Sequence, residues 1–66
     1  MQNKLRAKII ERGYSVNEVS AAIGINPATF WRKCKGISSF TLDEIQKIKA
    51  FLNLSDVEVM YIFFTD

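Results

Sequence analysis

The sequence predicts an all-α domain of five helices, and three observations carry that expectation. Capping-box patterns occur at Ser15-Val16-Asn17-Glu18, Thr41-Leu42-Asp43-Glu44 and Ser55-Asp56-Val57-Glu58. In each, the hydroxyl can accept the backbone N–H of the third residue on while the glutamate reaches back, which marks a helix start. Gly13, Gly24 and Gly36 stand where helices should stop, because glycine takes the left-handed conformation at little cost. Apolar residues then recur every three or four positions: Leu5 and Ile9, Val19 and Ile23, Phe30 and Cys34, and the series Leu42, Ile45, Ile48, Leu52. That spacing puts each set on one face of a helix.

Taken in order, the first helix covers about residues 2–12 and ends before Gly13, and the second covers about 16–23 behind the Ser15 cap. The third covers about 27–35 and begins at Asn26-Pro27, where Asn can cap and Pro suits the first helical position, its missing N–H having no intrahelical partner. The fourth covers about 42–53 behind Thr41, and the fifth about 56–64 behind Ser55. VEVMYIFF in the fifth is rich in β-branched and aromatic residues. Without the Ser55 box it would read as a strand.

Sixty-six residues make one small domain, spanning 1–66, with a thin core. Cys34 is the only cysteine and histidine is absent, so neither a disulfide nor a Cys/His zinc site is available. No apolar run approaches a membrane span, and MQNKLRAK carries no signal-peptide apolar region. These features predict a soluble cytoplasmic protein, associated with the nucleoid if it binds DNA. Net charge is only +2, but residues 1–36 hold seven bases against two acids, a balance of +5, and residues 37–66 hold two against five, a balance of −3. Such asymmetry is a common footprint of nucleic-acid binding, and a solvated charged face explains it equally well until geometry is added.

Only Gly24, Ile25 and Asn26 join the second and third helices. A three-residue connection containing Gly fits two helices crossing steeply, as in a helix-turn-helix. Ser20 is small where the third helix crosses closest, and Ile25 and Phe30 are apolar where the pair must seal. With these residues, SVNEVSAAIGINPATFWRKCKG resembles the lambda-repressor-like family, the Cro and repressor helix-turn-helix proteins of bacteria and their phages. The resemblance runs over nearly the whole chain. With its ending LSDVEVMYIFF the chain looks most like short phage regulators.

The resemblance implies sequence-specific binding to double-stranded DNA, with the third helix in the major groove of a pseudo-palindromic operator and no cofactor. The family's base-reading and phosphate-holding positions fall on Pro27, Ala28, Arg32 and Lys35. A helical wheel tests this independently: with Phe30 at zero and about 100° per residue, Cys34 lies at about 40°, Lys35 at about 140°, Ala28 at about 160° and Arg32 at about 200°. Three of the four thus face away from the core, with Thr29 and Lys33 flanking them. Val16 stands where many relatives hold a phosphate with glutamine, a contact that would pass to Ser15 or Asn17. Pro27 and Ala28 replace polar base readers, which thins direct readout to Arg32 and to contacts with thymine methyls. The candidate DNA-contacting set is Ser15, Asn17, Asn26, Pro27, Ala28, Thr29, Arg32, Lys33, Lys35 and Ser38. Ser38, Ser39 and Thr41 lie where the family often places groups on phosphate; the capping role of Thr41 is the firmer expectation.

Other residues carry plainer expectations. Cys34 reads as a small buried hydrophobe. Trp31 is expected to pack against the fourth or the N-terminal helix rather than stack on the edge of a DNA strand. Lys4, Arg6, Lys8 and Arg12 on the first helix could approach phosphates or simply be solvated. No sheltered acid–base pair, nucleophile motif, phosphate loop or metal set is present, so no catalytic residue is expected. In the fifth helix, Val57, Met60, Tyr61 and Phe64 are expected to face the core. That leaves Val59, Ile62 and Phe63 as the interface of a weak or DNA-assisted homodimer. The rival function is a protein-interaction module on the same fold, either an antirepressor binding another repressor or an antitoxin-type regulator.

Overall fold

Three hydroxyl side chains start three of the helices. The Ser15, Thr41 and Ser55 oxygens each accept the N–H of Glu18, Glu44 or Glu58 at 3.1 Å. The same glutamates accept the cap residues' own N–H groups at 2.7, 2.9 and 2.8 Å. Each box satisfies two donors that a helix start would otherwise leave orphaned. The computed structural model describes residues 4–64, in which the helices are α1 (Lys4–Glu11), α2 (Val16–Ile23), α3 (Pro27–Cys34), α4 (Leu42–Leu52) and α5 (Asp56–Phe63). Among the described residues there is no strand. Residues 2 and 3 of the expected first helix lie outside the described residues. At the other ends, Lys35, Asn53 and Phe64 prove to be C-caps rather than helical residues.

The sharpest stop is Gly24, at φ 79°. There the Gly24 and Ile25 N–H groups donate back to the Ala21 and Ser20 carbonyls at 3.2 and 2.9 Å, the pairing that closes a helix on a left-handed residue. Asn53 does the same for α4 at φ 56°, a conformation asparagine tolerates better than other side chains.

The core gathers Leu5 and Ile9 of α1, Val19 and Ile23 of α2, Phe30 and Cys34 of α3, Ile48 and Leu52 of α4, then Leu54 and Ile62. α2 packs on α3 and α4, while α1 reaches α2 and α5. Phe40, in the loop before α4, stacks edge-on between Phe30 and Phe63, 5.5 Å from each. It fills the end of the core where Leu42 was expected. Leu42 is instead 67% exposed.

The face assigned to the fifth helix is reversed. Ile62 is only 1% exposed, and Val59 and Phe63 pack against the core. Val57, Met60, Tyr61 and Phe64 lie outside, between 55% and 77% exposed. Both stripes are apolar, so hydrophobicity could not choose between them. A charge one turn before Ile62 turns the helix: Glu58 points at α1, where it meets Lys8 at 3.0 Å and Arg12 at 2.8 Å. The interface expected at Val59, Ile62 and Phe63 is therefore occupied by the protein's own core.

Candidate nucleic-acid interface

Ser20 is completely buried where α2 crosses α3, and its hydroxyl donates to the Asn17 carbonyl at 2.9 Å. A larger side chain there would separate the helices, and an unpaired hydroxyl would be costly to bury. Ile25, half-buried, seals the turn against the core. Asn26 then accepts the Ala28 N–H at 2.8 Å, so its side chain is occupied in starting α3. With Pro27 at the first helical position, the outward direction of α3 is set by its own anchors, Phe30 and Cys34.

Pro27, Ala28, Arg32 and Lys35 are all exposed, and Thr29 is half-buried beside them. The Arg32 side chain has no partner among the described residues. Lys35 Nζ lies 5.5 Å from the Trp31 ring centroid. Lys33 departs from expectation. It turns from the outward face to α4, where its Nζ meets Glu44 Oε1 at 2.7 Å and lies 5.9 Å from the Phe40 ring centroid. Burial works against charge on Glu44, but the Lys33 ammonium and the Thr41 N–H outweigh it and hold its pKa below the ordinary value. Lys33 is thus a brace between α3 and α4.

At the start of α2, Ser15 is exposed but its oxygen is committed to the Glu18 N–H, whereas Asn17 is exposed in the first turn. Ser38 and Ser39 are exposed on the rim of a pocket of about 300 Å³ whose wall includes Lys33, Cys34 and Phe63. Cys34 is a core residue, as expected. Burial pushes its thiol up to about 11, with Arg6 pulling weakly the other way. At neutral pH it is an unreactive thiol.

Charge pairing isolates this face. Lys8 and Arg12 meet Glu58, Lys33 meets Glu44, Lys47 meets Asp43 and Lys49 meets Asp56. Lys4 donates to the Tyr61 carbonyl. Arg6, Arg32 and Lys35 have no carboxylate partner among the described residues. Arg32 and Lys35 lie on the outer side of α3, and Arg6 of α1 is drawn to the same helix, with Cζ 5.2 Å from the Trp31 ring centroid. Trp31 therefore does touch the N-terminal helix, through a cation, while 38% of it stays open. This meeting of Arg6 and Trp31 left no trace in the sequence pattern, because it depends on how α1 packs beside α3.

Among the described residues, no helix is long and apolar enough to cross a membrane. The family model for the Cro/C1-type HTH DNA-binding domain matches residues 4–60. No curated protein and no solved structure matches the chain.

Proposed function

The chain belongs to the Cro/C1-type helix-turn-helix DNA-binding domain family, and on that premise we propose that it is a sequence-specific transcriptional regulator of phage or bacterial type, reading the major groove of double-stranded DNA with α3. One observation carries this: the exposed side of α3 bears the cations that the domain's own carboxylates leave unpaired. Every other described lysine or arginine, Lys4 and Arg6 apart, is matched to an acid, and Arg6 leans over Trp31 of the same helix. Arg32 can present its guanidinium to guanine O6 and N7, and Ala28, one turn earlier, its methyl to a thymine. Lys35, Asn17, Ser15 and Ser38 stand where phosphate contacts would fix the helix in register. Occupancy of the operator then blocks polymerase or a competing regulator.

Two copies act together on a pseudo-palindromic site. The support is the outer stripe of α5, where Val57, Met60, Tyr61 and Phe64 follow helical spacing and remain exposed. A contiguous apolar row of this kind needs cover, and a two-fold interface covers it with itself.

The test is a mobility shift of duplex DNA by the free protein, followed by a footprint on the DNA flanking its own gene. A protected, sequence-defined site whose binding weakens steeply with salt is expected. Failure to shift any duplex at low salt would leave the protein-interaction function in its place.

A further inference from the structure

Four cations project from α1 and the residue that follows it, and the structure sorts them. Lys8 and Arg12 converge on Glu58 Oε2 at 3.0 and 2.8 Å. Lys4 donates to the Tyr61 carbonyl at 3.3 Å and lies 4.6 Å from that ring's centroid. These three are absorbed in holding α1 against α5. Arg6 leans the other way, over Trp31 of α3, and the same ring also carries Lys35, the two charges standing 5.2 and 5.5 Å from its centroid.

We propose that Arg6, Trp31 and Lys35 form a clamp for one backbone phosphate of bound DNA, which brings α1 into the interface beside α3. The inference rests on the DNA-binding function proposed above. Two positive charges share one aromatic ring, and no carboxylate among the described residues offsets either of them. The ring quadrupole attracts both cations but does not neutralise them, so the site is left with a net charge that an anion can meet. Trp31 lies three residues after Ala28 and four before Lys35, hence beside both on the helix surface. The clamp therefore borders the edge of α3 that faces the bases. The indole N–H of Trp31 has no acceptor among the described residues, and the ring is partly open. It adds a neutral donor to two charged ones. A single phosphate oxygen set can accept from guanidinium, ammonium and indole together, and a contact of this kind positions α3 without reading sequence.

The experiment is a double-mutant cycle with Arg6→Gln and Lys35→Gln, measuring binding to the footprinted operator and to a random duplex over a range of salt. Each single variant should weaken both DNAs alike, about five- to tenfold, and lower the log–log salt slope by about one. Because the two residues hold the same phosphate, the double variant should bind little worse than either single one. Thermal melts of each variant separate loss of packing from loss of contact, since a merely structural Arg6 changes the melt and leaves the salt slope alone. An Arg6→Gln variant with the parent's slope and affinity overturns the clamp, as do additive losses in the double variant. The DNA-binding function fails separately, by the parent protein shifting no duplex at all.

Discussion

Arg12 Nη2 donates to Glu58 Oε2 across 2.8 Å, tying the end of α1 to the first turn of α5. Glu58 also caps α5 through the Ser55 N–H at 2.8 Å and takes Lys8 at 3.0 Å. One carboxylate therefore starts a helix and sets which way that helix faces. The Ser55 N–H first, then Lys8 and Arg12, hold the Glu58 carboxyl down at about 2.

An acid-lability prediction follows from that depression. A carboxylate whose folded pKa lies below its unfolded value stabilises the fold above the unfolded value, about 4.3, and loses that contribution as pH falls through the folded one. Melting temperature should therefore decline between about pH 4.5 and pH 2. Glu58→Gln should lower the melting temperature at neutral pH and flatten this acid limb. Asp43→Asn, which breaks only the exposed pair with Lys47, should do neither. An unchanged acid limb in Glu58→Gln would assign the acid sensitivity to another carboxylate.

Gly24 gives a purely conformational test. A Cβ built there meets nothing within 4 Å, yet φ is +79°. Gly24→Ala should therefore cost about 1 to 2 kcal/mol through backbone strain alone, and Gly24→Asn should cost less. Equal costs in denaturant titrations would mean that some contact, rather than the left-handed turn, requires glycine.

What the sequence made legible is what is local. Ser15, Thr41 and Ser55 act on residues three positions away, so their caps can be seen without a fold. The outward direction of Arg32 follows from the helical period once Phe30 is known to be inside. Pairing across the fold was hidden. Lys33 flanks the outward face of α3 on a wheel, and only the packing of α4 supplies Glu44 to draw it away. Leu42 fits the apolar series, yet Phe40 from the loop takes its place. In α5 both stripes are apolar, and the choice between them rests on Glu58 finding partners in α1, far off in the chain.

Arg32 and Lys35 should separate into reading and holding. Arg32→Ala should cost about 1 to 3 kcal/mol on the operator and relax discrimination at one base pair per half-site. Lys35→Ala should weaken operator and scrambled DNA alike and lower the salt slope by about one. The measurement is a pair of affinities for each variant. Equal losses on both DNAs for Arg32→Ala would make it a phosphate contact and move specificity to Thr29 or to DNA shape.

The two faces of α5 should also separate, one into stability and the other into assembly. Ile62 is sealed in the core, so Ile62→Asp buries an unpaired charge and should prevent folding at ordinary temperatures. Met60 and Val57 lie on the open stripe, and replacing either by Asp should change stability by no more than about 0.5 kcal/mol. If a second copy covers that stripe, its two recognition helices must reach half-sites about one turn of DNA, roughly 34 Å, apart. Met60→Asp and Val57→Asp should then leave a folded monomer that protects a single half-site and has lost cooperativity on the full operator. Sedimentation of the free protein and the steepness of the binding curve report this directly. Variants that stay folded and still bind as cooperatively as the parent would move the dimer contact off α5.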